Sequence, residues 1–132
     1  MRKIKFRGKD KKTGKWVYGY YVGPHTGRLP TILKTEDGVM DSVVIDNETL
    51  GQYTGLKNKN GQEIYEGDIV ESIVSEEYTD GRKIIMQGEV IYQEQFACFE
   101  IKTKESGQPT MSVFTSFEII GNKYEGDTDV GD

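Results

Sequence analysis

Few residues of this 132-residue chain could do chemistry, and their spacing is poor for it. Cys98 and His25 are the only cysteine and the only histidine. A Cys/His zinc site needs several such ligands and cannot be assembled within one chain. As a nucleophile and base the two fare no better. His25 lies between Pro24 and Thr26 in a predicted loop, while Cys98 sits in the apolar run Phe96-Ala97-Cys98-Phe99. A thiol there is expected to be a small buried hydrophobe with a raised pKa. A serine triad would have His25 as its sole base, and no Gly-x-Ser-x-Gly elbow is present.

Asn58-Lys59-Asn60-Gly61 superficially matches a calcium loop. With Gly61 as the turn glycine, the first and twelfth ligand positions fall on Leu56 and Gly67, and neither is a carboxylate. A Mg²⁺ site built from one or two carboxylates is left open by the sequence. Gly51 through Gly61 lacks the spacing of a P-loop, so Gly55 and Gly61 are read as turn glycines. Glu76-Glu77, with Tyr78 and Asp80-Gly81 after it, reads as a solvated loop, because a catalytic carboxylate needs a tuned, partly buried setting. The expectation is a protein that is not an enzyme, with no catalytic residues, no metal and no cofactor.

The elements that would position any site have a period of two. Ile4 and Phe6 alternate with Lys3, Lys5 and Arg7; after the Asp10-Lys11-Lys12-Thr13-Gly14 turn, Trp16, Tyr18, Tyr20 and Val22 alternate with Val17, Gly19 and Tyr21. This predicts a hairpin. Gly23-Pro24 and Leu29-Pro30 stop any helix from crossing that region. Short strands are predicted at Thr31 to Leu33 and, after the Asp37-Gly38 turn, at Ser42 to Ile45. Asp46 or Asn47 could cap one helical turn through Leu50, stopped by Gly51.

Further strands are predicted at Ile69 to Val74, Lys83 to Met86, Glu89 to Tyr92, Phe96 to Ile101 and Ser112 to Ile119. In the last of these, Val113, Thr115, Phe117 and Ile119 take one face and Phe114 the other. The predicted fold is mainly β: a small barrel or strongly bent antiparallel sheets, an SH3-like barrel being plausible in the second half, with at most short helical turns. Residues 1–124 are expected to form one compact domain, with two lobes, 1–60 and 61–124, as a variant, and 125–132 an acidic flexible tail.

Charge is unevenly spread. The net charge is −5, yet residues 1 to 16 carry eight basic residues against Asp10 alone, a local balance of +7. Total charge argues against a generic nucleic-acid or membrane-surface binder. The basic start reads first as an edge hairpin with solvated lysines, which discourages edge-to-edge aggregation. A single cysteine fits a reducing compartment. No apolar segment follows Met1, and no run approaches the ~20 residues of a membrane helix. The chain is therefore expected in the host cytoplasm, without a membrane partner.

Gly51-Gln52-Tyr53-Thr54-Gly55-Leu56-Lys57, then Asn60-Gly61 and Ile64-Tyr65-Glu66-Gly67-Asp68-Ile69-Val70, resemble the central signature of the YopX family. Arg2-Lys3-Ile4-Lys5-Phe6-Arg7, Trp16-Val17-Tyr18-Gly19 and Ile119-Ile120-Gly121-Asn122-Lys123-Tyr124-Glu125 are similar to its first, second and closing motifs. Asn58 stands where members often carry Asp, and Gly8-Lys9 where Ala-Trp is often seen. The resemblance implies a phage or prophage protein, mainly β and self-associating, with no activity attached.

Two functional readings follow. The first is a non-enzymatic phage accessory module that contacts itself, and host or phage proteins, through Gln52, Tyr53, Lys57, Asn60, Tyr65, Glu66 and Asp68. The chain's eight tyrosines favour it, since tyrosine is enriched at interfaces. The second is a nucleic-acid-binding barrel using Arg2, Lys3, Lys5, Arg7, Lys11, Lys12 and Trp16. It turns on whether Trp16, Tyr18 and Tyr20 face solvent or core, which alternation leaves equal.

Overall fold

The computed structural model describes residues 4–23, 29–103 and 108–125. The chain is mainly β with antiparallel sheets, and helix is confined to single 3₁₀ turns at Glu76–Tyr78 and Met111–Val113. It packs as two units, Met1–Gly55 and Leu56–Asp132.

In the first unit, β1 (Phe6–Asp10) and β2 (Trp16–Val22) form the hairpin that the alternation predicts. Its turn is held by the Lys12 N–H donating to Asp10 Oδ1 at 2.8 Å and the Gly14 N–H to the Asp10 carbonyl at 2.8 Å. β3 (Thr31–Glu36) turns into β4 (Val39–Lys57) through Asp37 and Gly38, both at positive φ, 51° and 80°. That is the signature of a two-residue type I′ turn. β2 pairs with β1 and then β3, while β4 pairs with β3 and then returns to β1. Each of the four strands thus has at least two partners, and the sheet closes on itself as a partial ring.

The inside of that ring is small. Val17, Ile32 and Ile45 are buried there, with Phe6, Tyr21, Val43 and Leu50 against them. A Cβ on Gly19 would collide with the Leu33 carbonyl, and one on Gly8 would sit 2.5 Å from Ile45 Cδ1. Both glycines share the inward face with Val17, and any larger residue would force the ring open.

Asp46 to Leu50 does not make the helical turn that its capping residues predict. The segment belongs to β4 as a bulge: Lys9 pairs with Asp46 but Arg7 with Gly51, so the two strands advance unequally. Thr49 bridges the gap, accepting the Lys9 N–H at 2.8 Å and donating to the Asp46 carbonyl at 2.6 Å. The Glu48 N–H donates to Asp46 Oδ1 at 3.2 Å, so the capping chemistry serves a bulge instead.

In the second unit, β5 (Glu63–Tyr65) precedes a four-stranded sheet of β6 (Asp68–Val74), β7 (Ile85–Gln93), β8 (Cys98–Thr103) and β9 (Phe114–Asn122), ordered β8-β7-β6-β9. Its core gathers Ile64, Val70, Val90, Ile101, Phe114 and Phe117, among others. Each such side chain, fully buried, is worth about 1.5–3 kcal/mol.

Three strand expectations are corrected here. The strands predicted at 83–86 and 89–92 are one, because Gly88 is no turn: it pairs with Val70 and Thr103, and a Cβ there would lie 2.5 Å from the Lys102 carbonyl. Phe96 is outside β8, in a turn where Ala97 takes φ 51°. In β9, Phe114 and Phe117 are both buried although they are three residues apart. A bulge explains it: Ile73 pairs with Ser116 and Val74 with Phe114, leaving Thr115 extra and turning Phe114 inward. The two rings then meet at 5.7 Å and 61°.

Candidate binding surfaces

The segments that look most motif-like, 64–70 and 119–125, turn out to build one buried polar junction. Asp68 is only 2% exposed and pairs with Asn122 across β6 and β9. The Tyr65 N–H donates to Asp68 Oδ2 at 2.8 Å, and Asn122 Nδ2 donates to Oδ1 at 3.3 Å. Asn122 Oδ1 accepts the Tyr124 N–H at 2.8 Å, while the Lys123 N–H donates to the Gly67 carbonyl at 2.9 Å. Gly67, at φ +92°, leaves room for Tyr124: a Cβ would come within 2.7 Å of the ring.

Lys123 Nζ lies 3.2 Å from Glu89. Partial burial pulls its pKa down, but the hydrogen bond and charge of Glu89, helped by Tyr124, outweigh this and leave it raised. With Asp68 supplying its oxygens to neighbouring N–H groups, the junction holds chain together and presents no open coordination sphere.

Of the candidate interaction residues, Tyr53, Tyr65 and Asp68 are buried, and Gln52 and Glu66 half-buried. Lys57 and Asn60 are the members exposed to a partner. Between them Asn58 organises its turn: its Oδ1 accepts the Asn60 and Gln62 N–H groups at 2.9 Å each, and its Nδ2 donates to Gln62 Oε1 at 2.7 Å. Lys57 and Lys59 also rim an open groove of about 330 Å³ floored by Met111, Phe114 and Phe117.

Cys98 is half-buried, its thiol 3.8 Å from Glu100 Oε2. Loss of solvent first, then the Glu100 charge and hydrogen bond, push its pKa up, away from thiolate. His25, its notional partner, lies outside the described residues. Among the described residues no three His, Cys, Asp or Glu side chains cluster as metal ligands. None of the described helices is long and apolar enough to cross a membrane.

The aromatic stripe resolves toward solvent. Val17 is buried, whereas Tyr18 and Tyr20 are 44% and 63% exposed. Strand register puts Lys9 beside Trp16 and Arg7 beside Tyr18 on this outer face. The Arg7 guanidinium stands 4.3 Å from the Trp16 ring centre and Lys9 Nζ 5.3 Å, so cations already cover that ring. Arg7 itself is buried, Lys5 half-buried near the Tyr53 ring, and Lys11, Lys12 and Lys15 are exposed at the hairpin tip. Arg2 and Lys3 lie outside the described residues. What alternation could not decide, the narrow ring does: the face carrying Gly19 must point inward.

The YopX protein family model matches residues 5–127, nearly the whole chain. The chain belongs to the YopX family. No curated protein matches it. The matched span takes in both the polar junction at Asp68 and the Asn58 turn.

Proposed function

We propose that this YopX-family chain is a phage or prophage accessory protein of the host cytoplasm, non-enzymatic, acting through protein contacts and associating with itself. The observation that carries the reading is the β3–β4 hairpin end. Residues 35–42 are all exposed, and Val39 and Met40 at the I′ turn are 64% and 62% exposed. Two large apolar side chains just after the turn stay mostly in water in the monomer, and a second copy would withdraw them from it. Closed homo-oligomers are the usual outcome of such self-complementary contacts.

Light scattering coupled to size exclusion tests this directly. The wild-type chain at micromolar concentration is expected to run as an oligomer, and the double change Val39→Lys, Met40→Glu to run as a monomer with an unchanged circular dichroism spectrum. A wild-type monomer would remove the reading.

A further inference from the structure

We infer that the outer face of the first unit, built on Tyr18, Tyr20 and the basic β1–β2 hairpin, is a binding site for single-stranded nucleic acid. The inference goes beyond self-association and uses residues other than the Val39–Met40 turn.

Tyr18 and Tyr20 are exposed on consecutive outward positions of one strand. Aromatic rings on an open sheet face accept bases without regard to sequence, since every base has a π-face. Outward neighbours along a strand stand about 6.7 Å apart. That is about twice the ~3.4 Å spacing of bases stacked along a duplex strand. The two platforms therefore suit a strand whose bases are splayed, and a duplex offers them none.

Charge points the same way. In a chain of net charge −5, Lys11, Lys12 and Lys15 project from the hairpin tip, and Lys9 continues the basic line onto Trp16. A phosphate backbone running from the hairpin tip toward Tyr20 would meet lysines first and rings next. Arg7 and Lys9 over Trp16 hold that side chain at the edge of the Tyr18–Tyr20 face. Two acids oppose this charge: Asp10, whose Oδ1 is held by the Lys12 N–H in the hairpin turn, and Asp46, exposed across from Lys9 and held by the Glu48 N–H within the bulge.

Titrating the full-length protein into fluorescein-labelled oligothymidylate, and into a blunt duplex of equal length, tests the site. Anisotropy reports affinity, and the single tryptophan, Trp16, reports contact at this face through its own fluorescence. The single strand is expected to bind, to change Trp16 emission and to outcompete the duplex. Tyr18→Ala and Tyr20→Ala should each weaken it about tenfold, with phenylalanine at either position restoring most of the affinity. Changing Lys11, Lys12 and Lys15 together to Gln should lower the salt slope by about 2.

No binding at low salt, equal affinity for the duplex, or tyrosine variants that bind like wild type would each overturn the inference. So would loss of the oligomer in Tyr18→Ala, Tyr20→Ala with no oligonucleotide bound, which would make the face a protein contact. Light scattering on the same samples keeps the two proposals separable, because the Val39 and Met40 changes should leave oligonucleotide binding in place.

Discussion

The Asp68–Asn122 junction and the Tyr18–Tyr20 face are opposites in how they use polar and aromatic residues. The junction spends a carboxylate, an amide and a tight glycine on backbone N–H groups inside the second unit. The face leaves the Tyr18 and Tyr20 rings in water on the first unit, with Arg7 stacked on the neighbouring Trp16. A motif dense in Gly, Asp and Asn invites a catalytic reading, yet its chemistry here is the satisfaction of buried donors, which fold stability requires. An unremarkable run of alternating aromatics, by contrast, leaves two of its rings, Tyr18 and Tyr20, exposed to solvent.

The largest effect that would break this contrast is at Asp68. Replacement by Ala strands the buried Tyr65 N–H and the Asn122 amide, and should cost about 3 kcal/mol of unfolding free energy in urea titrations. A stable Asp68→Ala protein that lost a partner instead would move the junction to the functional side. Next comes Gly67→Ala, expected to cost about 2 kcal/mol from positive φ and the approach to Tyr124. Combining it with Tyr124→Ala relieves the collision but not the φ strain, so the double variant should lose less than the sum of the two single changes.

On the other face, Tyr18→Ala and Tyr20→Ala should each shift stability by no more than about 0.5 kcal/mol, as changes at exposed positions do. A loss well above that would show that the rings brace the ring of strands. The smallest effect is expected for Asn58→Asp. The carboxylate keeps both backbone N–H groups, and the Gln62 amide can turn to donate in its place, so the midpoint should move by less than about 0.5 kcal/mol.

Much of the fold could be read from period-two alternation and turn residues: the first hairpin, the Asp37-Gly38 turn and the β-rich second half all stand where those signals lie. The errors share a cause. Alternation assumes one residue per pleat, and the bulges at Asp46–Gly51 and Thr115 break that assumption through a threonine that bonds to the opposite or adjacent backbone. Gly88 falls between the strands predicted at 83–86 and 89–92, but its missing side chain answers a neighbouring carbonyl that lies 14 positions along the chain, on Lys102. The outward direction of Trp16, Tyr18 and Tyr20 was hidden for the same reason: it depends on how close Leu33 comes to Gly19, a distance no local pattern contains. Asp68 stands out in the sequence as a candidate contact residue, while its partner Asn122 lies 54 positions away.

Because β1 to β4 each have at least two strand partners, unpaired main chain in the first unit gathers at the β3–β4 hairpin end, where Lys34 to Glu36 pair only with Val39 to Asp41 among the strands. Elsewhere the ring of strands meets its surroundings through side-chain tips. Outward positions of the ring can therefore change by single substitutions while the inward glycines stay untouched.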